Sequence, residues 1–482
     1  MSAVATQPRD ETECGSSMDQ PLSVEELAFR LDPLLDTWPL LGTRLKRLGV
    51  AVSGGPDSVA LFHLMDVWAR RRGVTLIVLT VDHGLRAGSA DEALTVGRLA
   101  VARGRRHHVL VWDGAKPATG LSEAAREVRY RLLTDACRAA GIGALAVAHH
   151  AADQAETLLH RIDRGTGPDG LAGMGRLVER DGLWLLRPLL DVPKARLIAT
   201  CQAAGLPAVD DPSNRDQRYA RARTRVLMPT LSAAGVTTER LVRLAAAMGA
   251  ARTHLDVAVM DWVAAHADVA AAGWISFAAT AMNTVPQGLR AHVVERLLRW
   301  VGGGGYPPRG DRLDRLVAWI VRTEGDGART LAGCRVERAK RCVIFLREWQ
   351  ATALPLVVPP GTVRDWDGRY SVRNEGVRPV RIGACGPEGW RRWRRATAGI
   401  AHVTRCKIAI PHHARLALPM VADLDGGITL PHLTEHAANA TAWIGDKVRL
   451  RFRSMDVFQG ARHGGCIRTS ASLPPSNKRL AT

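Results

Sequence analysis

Apolar positions in the first half of the chain form short continuous runs that alternate with amphipathic stretches. The runs and the helix-like segments follow one another as Leu48–Val52, 56–72, 74–81, 89–104, 109–112, 122–140, 144–148 and 151–163. Continuous apolar strands separated by amphipathic helices are typical of a parallel sheet covered on both faces. Crossovers in such sheets are right-handed, and ligands collect at the carboxyl ends of the strands. We therefore predict an α/β domain with its ligand site at that edge.

The pattern changes after residue 236. Residues 236–346 are rich in Ala, Leu and Arg at helical spacing and predict a helical domain that closes with a short β-like stretch. Pro355, Pro359 and Pro360 indicate a linker, and the short apolar runs beyond it predict a small β-rich domain. The predicted organisation is a polar leader with a short helix (1–40), an α/β catalytic domain (41–232), the helical domain (236–346), a C-terminal domain (361–460) and a disordered tail (461–482).

Composition adds a strong positive charge to this picture. The 482 residues carry a formal net charge of +19, which favours a polyanionic partner, with nucleic acid ahead of a membrane surface. A generally arginine-rich composition is the alternative. The eight cysteines include no CxxC pair, which argues against a zinc knuckle or disulfide framework and fits a reducing compartment. With no secretory signal or transmembrane stretch predicted, we expect a cytoplasmic protein.

A glycine-rich turn follows the first predicted strand and opens the next helix. It consists of Ser53, Gly54, Gly55, Pro56, Asp57 and Ser58. Glycines allow the backbone to approach an anion, and proline in the first helical turn loses no hydrogen bond. The free amides and the serine hydroxyls can hold a pyrophosphate at the positive end of the helix. Because no lysine follows the glycines, this is not a Walker A loop; a glycine turn before a helix is the structural alternative.

The turn resembles the SGGxDS loop of the PP-loop ATP pyrophosphatases, and further stretches resemble the tRNA(Ile)-lysidine synthetases (also called synthases). The stretches are Val81–Arg86, Leu121–Tyr130, His149–Thr157, Arg164–Met174, Asp211–Asn214, and the arginine segment with Tyr219, Arg221, Arg223 and Arg225. The resemblance is strong over about residues 45–232. Two positions depart from the family pattern: Ala152 replaces one of two usual carboxylates, and Ala222 replaces an asparagine.

The resemblance implies a two-step reaction with ATP, Mg²⁺, free L-lysine and the isoleucine tRNA that carries a CAU anticodon. The wobble cytidine is adenylated at the C2 oxygen with release of pyrophosphate, and the lysine ε-amine then displaces AMP. It also implies that the domain at 41–232 is catalytic and that the helical domain positions the tRNA. A homodimer is left open.

Spacing suggests which side chains could serve this chemistry. Asp153 and Glu156 lie three residues apart on one helix and face the same way, so with Asp57 they could bind the lysine ammonium and accept its proton. A solvated acidic helix face is the alternative. Arg126 and Arg129 could pair with the substrate carboxylate or a phosphate, or form surface salt bridges. Asp82, with Asp57, could place Mg²⁺.

Two arginine-rich stretches are candidate tRNA contacts. They are the segment with Arg221, Arg223 and Arg225, and the stretch Trp390–Arg395, in which Arg391, Arg392, Arg394 and Arg395 alternate with tryptophans. Interleaved Trp and Arg suit phosphate contact with stacking on unpaired bases; a solvated face with the tryptophans turned inward is the alternative. Rival functions are another PP-loop enzyme, such as a tRNA thiolase, and a catalytically impaired tRNA-binding protein.

Overall fold

A computed structural model provides the fold. It describes residues 20–36, 46–85, 88–114, 116–117, 119–180, 182–207, 220–270, 272–304, 308, 310–322, 325–339, 341–396, 410–423, 427–431, 441–444 and 448–452. The predicted disordered tail, 461–482, lies outside these residues. The chain divides into two compact units, Met1–Arg252 and Thr253–Thr482.

The first unit is built on a six-stranded sheet in the order β3-β2-β1-β4-β6-β5. Five strands run parallel, and β5 pairs antiparallel with β6 at one edge. The strands are β1 (Arg47–Ala51), β2 (Thr75–Asp82), β3 (Arg106–Val111), β4 (Ala144–Ala146), β5 (Leu177–Arg180) and β6 (Leu183–Leu186). The predicted α/β class with a parallel sheet is confirmed. The pair β5–β6 was not predicted.

Helices pack on this sheet and continue into the second unit. They are α1 (Val24–Asp36), α2 (Pro56–Arg72), α3 (Ser89–Ala102), α4 (Leu121–Ala139), α5 (Ala151–Asp163), α6 (Pro168–Leu171), α7 (Lys194–Ala203), α8 (Ala220–Ala233) and α9 (Thr238–His266). The central helix α2 is buried along most of its length, with Phe62 and Met65 fully enclosed. None of the described helices has the length and apolar character needed to cross a bilayer.

The strand order creates a crevice between β1 and β4. From β1 the chain moves outward through β2 to β3, and β4 then returns to the other side of β1. At such a switch in direction the loops after the two central strands diverge, and ligands bind between them. The loop after β1 begins at Val52 and the loop after β4 contains His149 and His150, so the predicted site residues flank this crevice.

The second unit contains antiparallel sheets and short helices. One sheet has the order β7-β8-β11-β10-β9, and two four-stranded sheets have the orders β12-β15-β16-β17 and β13-β14-β19-β18. The strands are β7 (Ala267–Ala270), β8 (Trp274–Ala278), β9 (Gly327–Leu331), β10 (Cys334–Ala339), β11 (Cys342–Arg347), β12 (Leu356–Val358), β13 (Val363–Trp366), β14 (Tyr370–Asn374), β15 (Val380–Ala384), β16 (Pro419–Ala422), β17 (Ile428–Thr429), β18 (Thr441–Ile444) and β19 (Val448–Phe452). The helices are α10 (Gln287–Gly302), α11 (Gly310–Val321), α12 (Gly386–Ala396) and α13 (His412–Leu416).

This unit differs from the predicted division at 346–361. Residues 236–346 contain a five-stranded sheet as well as helices, and the proline-rich segment contains strand β12. One apolar core includes Val259 and Leu297 from the predicted helical domain together with Trp366, Tyr370 and Leu450 from the predicted C-terminal domain. The prolines therefore lie within a packed structure, because the apolar faces on both sides of them are buried together.

A buried ion network lies inside the second unit. Asp367 accepts hydrogen bonds from Arg347 Nε at 3.0 Å and from Arg369 Nε at 2.6 Å, and all three side chains are nearly inaccessible to solvent. Gly368 has φ +63°, and a Cβ on it would lie 1.8 Å from the carbonyl oxygen of Gly303. The turn that holds Asp367 can therefore form only with glycine at 368.

Candidate active site

The loop between β1 and α2 is ordered by its own serines. The Ser53 amide donates to Ser58 Oγ at 3.1 Å, and Ser58 Oγ donates to the Gly55 carbonyl at 2.9 Å. Gly54 has φ +93°, a left-handed conformation that favours glycine. Gly55 precedes the helix in an extended conformation and has no side chain to cap it. The positive end of α2 is thus presented in a preformed turn, as an anion site requires.

His150 brings two of the predicted carboxylates together. Its Nε2 lies 3.5 Å from Asp57 Oδ2, at the start of α2, and 3.6 Å from Asp153 Oδ2, in the first turn of α5. Its Nδ1 accepts the Ala152 amide at 3.2 Å, which leaves the proton on Nε2, between the two carboxylates. The phosphate loop after β1 and the acidic helix after β4 therefore meet at one imidazole.

The carboxylates around His150 raise its pKa. Burial lowers the pKa of His150, but the hydrogen bond to Asp57 and the charges of Asp153 and Asp57 outweigh burial, so the pKa is raised overall. The Nε2 proton lies between two carboxylates, which would otherwise repel each other across the crevice.

The two carboxylates of α5 do not lie on a solvated face. Asp153 Oδ2 accepts the His150 amide at 3.1 Å and completes a capping box with the His150 side chain. Glu156, one helical turn further, is only 2% exposed. The alternative of a solvated acidic helix face is therefore wrong. The His150 side chain satisfies the Ala152 amide at the start of the same helix.

Cationic side chains surround Tyr130 next to these acids. The Arg126 guanidinium lies 5.1 Å from the Tyr130 ring centre, and that of Arg180 lies 4.6 Å away on the same ring. Burial lowers the pKa of Arg129, and the charges of Tyr130 and Asp153 oppose this effect. Arg126 is exposed and Arg129 is half-buried. Both arginines thus lie where an anionic group could reach them, although Arg126 also packs on an aromatic ring.

His149 is held neutral beneath this cluster. Burial lowers the pKa of His149 to about 3. The charge of Asp153 opposes this shift, and the charges of Arg187 and other arginines add to it. Arg187 Nε donates to His149 Nδ1 at 3.1 Å, and Arg187 also donates to the Gly175 carbonyl at 2.9 Å. At neutral pH His149 is therefore an uncharged acceptor that fixes a buried arginine.

Asp82 lies at the carboxyl end of β2, as predicted, and forms local hydrogen bonds there. Its Oδ1 accepts the Gly84 amide at 2.8 Å. Hydrogen bonds from Ser89 and then from Gly84, against the opposing effect of burial, hold the pKa of Asp82 below its usual value. These bonds orient the turn after β2, so a magnesium role for Asp82 stays a prediction.

Asp57 is the side chain best suited to a magnesium ion. Within the described residues, no group of three or more His, Cys, Asp or Glu side chains is arranged to hold a metal. Magnesium at nucleotide sites needs only one or two carboxylates, because substrate phosphates and water complete its shell. Asp57 Oδ1 is buried and has no hydrogen-bond partner among the described residues, which fits an oxygen that would coordinate a cation delivered with the nucleotide.

Sequence reasoning missed the side chains that fix the glycine-rich segment after α5. Gln154 accepts the Met174 amide at 2.7 Å and donates to the Met174 carbonyl at 3.1 Å. Arg161 donates to the carbonyls of Gly170 and Gly173 at 2.7 and 2.6 Å. The segment is therefore fastened to the helix that carries Asp153 and Glu156. Its signal in the sequence was the glutamine directly after Asp153, which we did not interpret.

The tryptophans of the stretch 390–395 are buried, so the prediction that they stack on RNA bases is wrong. Trp390 and Trp393 stack on each other with ring centres 5.2 Å apart and lie in an apolar cluster with Leu346 and Leu418. The four arginines of α12 are exposed on the opposite face: Arg391, Arg392, Arg394 and Arg395. They remain predicted phosphate contacts. The side chains of Arg221, Arg223 and Arg225 lie outside the described residues.

Comparisons with known proteins agree with this geometry. A family profile described as a PP-loop domain matches residues 25–231. The tRNA(Ile)-lysidine synthase of Bradyrhizobium diazoefficiens is 47% identical over 279 residues, 56% of this chain and 77% of the relative. That of Ruegeria pomeroyi is 38% identical over 365 residues, 74% of this chain and 84% of the relative. Among solved structures, the U34-tRNA thiolase of Methanococcus maripaludis has a TM-score of 0.39 at 15% identity, covering 46% of this chain and 76% of that chain, a likeness too weak to argue from.

Proposed function

The chain belongs to the tRNA(Ile)-lysidine synthase family, and on this premise we propose that it ligates free L-lysine to C2 of the wobble cytidine in the CAU anticodon of isoleucine tRNA. It is an ATP-dependent carbon–nitrogen ligase. The observation that carries the proposal is the meeting of Asp57 from the phosphate loop and Asp153 from α5 at His150. One crevice thereby holds an anion-binding turn and the carboxylates that an ammonium substrate requires.

In the first step the C2 carbonyl oxygen of cytidine attacks the α-phosphorus of ATP. The bond between the α-phosphorus and the bridging oxygen breaks, and pyrophosphate leaves. We assign the phosphate tail to the turn of Ser53, Gly54, Gly55, Pro56, Asp57 and Ser58, at the positive end of α2. When bound, Mg²⁺ held by Asp57 would neutralise charge on the phosphates.

In the second step the lysine ε-amine attacks C2, the C2–O bond breaks, and AMP leaves. Only the neutral amine is a nucleophile, so the substrate ammonium must lose a proton before attack. We assign Asp153 and Glu156 to bind the ammonium, with one of the carboxylates, including Asp57, accepting the proton. Arg126 and Arg129 are assigned to the lysine carboxylate. Carboxylates for the ammonium and guanidinium groups for the carboxylate would together select an amino acid with a cationic side chain.

The proposal is tested by incubating the protein with ATP, L-lysine and tRNA, and following AMP release. The expected result is release with the isoleucine tRNA and much slower release with the methionine tRNA of the same anticodon. A thiolase would release AMP without lysine, provided that a sulfur donor is present. An impaired tRNA-binding protein would bind tRNA but release no AMP, and either outcome would overturn the proposal.

We propose that tRNA is held by exposed arginines, with the regions 236–346 and 361–460 contributing. The cytoplasm, which supplies tRNA, ATP and lysine, is the proposed location, with no membrane partner, and self-association into a homodimer remains open.

The arginine face of α12 makes this proposal testable. The double variant Arg391→Gln with Arg394→Gln should bind tRNA more weakly, and its affinity should depend less on salt. Each lost phosphate contact lowers the slope of log affinity against log salt by roughly 0.7–0.9. Filter binding at several salt concentrations measures this slope. The matched control is Arg373→Gln with Arg381→Gln, which removes two exposed charges from strands of the same unit. Equal slopes in both double variants would contradict a specific role for α12.

A further inference from the structure

A lysine that sequence reasoning passed over stands beside the phosphate loop. Lys194 is the first residue of α7, and its Nζ lies 4.0 Å from Asp57 Oδ2. The side chain is 48% exposed, so the ammonium reaches into the crevice from solvent. The lysine thus comes from a helix far along the chain from the loop itself.

The position of Lys194 is fixed by the packing of α7. Leu197 and Cys201 are buried in the same apolar core as Phe62 of α2. Cys201 Sγ donates to the carbonyl of Pro56, the first residue of α2, at 3.3 Å. Helix α7 is therefore anchored directly to the start of the helix that binds the anion, and Lys194 is held at the mouth of the loop.

The negative charge of the ATP phosphates indicates what this lysine could bind. An ATP tail brings several negative charges into a crevice that already contains Asp57 and Asp153. The dipole of α2 supplies only about half a positive charge, and the loop lacks the lysine that follows the glycines in Walker A sequences. Lysine is a compact cation on a flexible stem and binds phosphate as a point charge. In addition to the Mg²⁺ that Asp57 would hold, a lysine at this position adds a second cation beside the phosphate tail.

The bond to Asp57 leaves the ammonium available. A separation of 4.0 Å is the outer limit of an ion pair, and a half-exposed pair contributes little to stability. His150 Nε2 already lies 3.5 Å from the same Asp57 oxygen, so Asp57 keeps a polar neighbour when Lys194 turns away. The lysine can therefore exchange its carboxylate for a phosphate without stranding a buried charge.

We propose that Lys194 contacts the β- and γ-phosphates of ATP and supplies from α7 the cation that the phosphate loop lacks. The inference rests on the proposed function, since it assumes that ATP is cleaved in this crevice. It makes Lys194 a substrate-binding residue and distinguishes it from a surface lysine that merely pairs with Asp57.

The experiment compares Lys194→Met, which keeps the apolar stem and removes the charge, with Lys46→Met. Lys46 is exposed and precedes β1, at the opposite end of the strand from the loop. In Lys194→Met, kcat/KM for ATP should fall about tenfold to hundredfold, as expected for one lost charge-assisted bond. Inhibition by added pyrophosphate should weaken by a similar factor. Inhibition by AMP and the KM for lysine should stay within about twofold, because neither contacts Lys194. Lys194→Arg should recover part of the loss.

Three measurements separate the outcomes. The melting temperature of Lys194→Met without ATP should equal that of Lys46→Met, which shows that the variant folds. If kcat/KM for ATP is unchanged in Lys194→Met, or if AMP inhibition weakens as much as pyrophosphate inhibition, the inference is overturned. If the unchanged protein itself releases no pyrophosphate with ATP and isoleucine tRNA, the proposed function has failed instead.

Discussion

Asp57→Asn is expected to slow pyrophosphate release about tenfold to hundredfold while leaving the affinity for tRNA unaltered. The substitution keeps the size of the side chain but removes the charge that faces His150 and that would hold Mg²⁺. A charge-assisted bond lost at a partly buried site costs about 1.5–3 kcal/mol, and His150 loses one of its two carboxylate neighbours. Single-turnover release of pyrophosphate, measured with isoleucine tRNA, gives the rate of the first step alone.

The control for this variant is Asp135→Asn. Asp135 is an exposed carboxylate paired with Arg138 near the end of α4, so its replacement removes the same charge far from the loop. It should release pyrophosphate at the normal rate. Normal release by Asp57→Asn would mean that the turn after β1 does not serve the phosphates, and weakened tRNA binding by this variant would show that Asp57 also acts on the RNA.

Asp153→Asn and Glu156→Gln are expected to damage the second step more than the first. If these carboxylates bind the lysine ammonium, their loss should raise the lysine concentration needed for half-maximal rate about tenfold to hundredfold. Adenylated tRNA should still form and should accumulate. Quenched-flow trapping of the adenylated tRNA, with and without lysine, measures both steps in one experiment.

The geometry makes the two variants informative in different ways. Asn at position 153 can still accept a hydrogen bond from the His150 amide and preserve the capping box. A loss of activity in Asp153→Asn therefore reports on the removed negative charge. Glu156 is buried, so a melting curve must accompany Glu156→Gln to separate lost binding from lost stability. If adenylation itself fails in both variants and added lysine rescues nothing, Asp153 acts with the metal and the assignment of the ammonium is wrong.

The first unit was largely predictable because its signals are local. Strands β1, β2 and β4 are continuous apolar runs in sequence, and Gly54, Gly55 and Pro56 sit where a strand must turn into a helix. Because the carboxyl ends of parallel strands lie at the same edge of a sheet, the loop after β1 and His150 after β4 could be expected at one edge. The start of α5 at Ala151 was predicted to the residue.

Lys194 and Gln154 could not be placed by the same reasoning. The role of each depends on a contact between segments distant in sequence, the first with the start of α2 and the second with the Met174 backbone. Periodicity predicts which face of a helix is apolar but does not predict which other helix its first residue will meet. Strands β7 and β8 were missed because α9 runs directly into them without a break in the apolar pattern.

The tryptophans of α12 show a different limit. A Trp-Arg-Arg-Trp-Arg-Arg sequence places both tryptophans on one side of a helix and the arginines on the other, so spacing alone is compatible with either side facing solvent. The cluster that encloses Trp390 and Trp393 includes Leu346 of β11 and Leu418, and these residues come from separate parts of the chain. Only tertiary packing could decide the orientation.

The largest apolar core of the second unit bears on how the chain can be shortened. Because Val259 and Leu450 belong to one cluster, a chain that ended at the proline-rich segment would lack the residues that pack on the apolar side chains of β10 and β11. The shortened chain would then present apolar surface to solvent, and we expect it to be less soluble than the full chain. A stable shorter version would need polar residues at these apolar positions, because the cluster continues across the prolines.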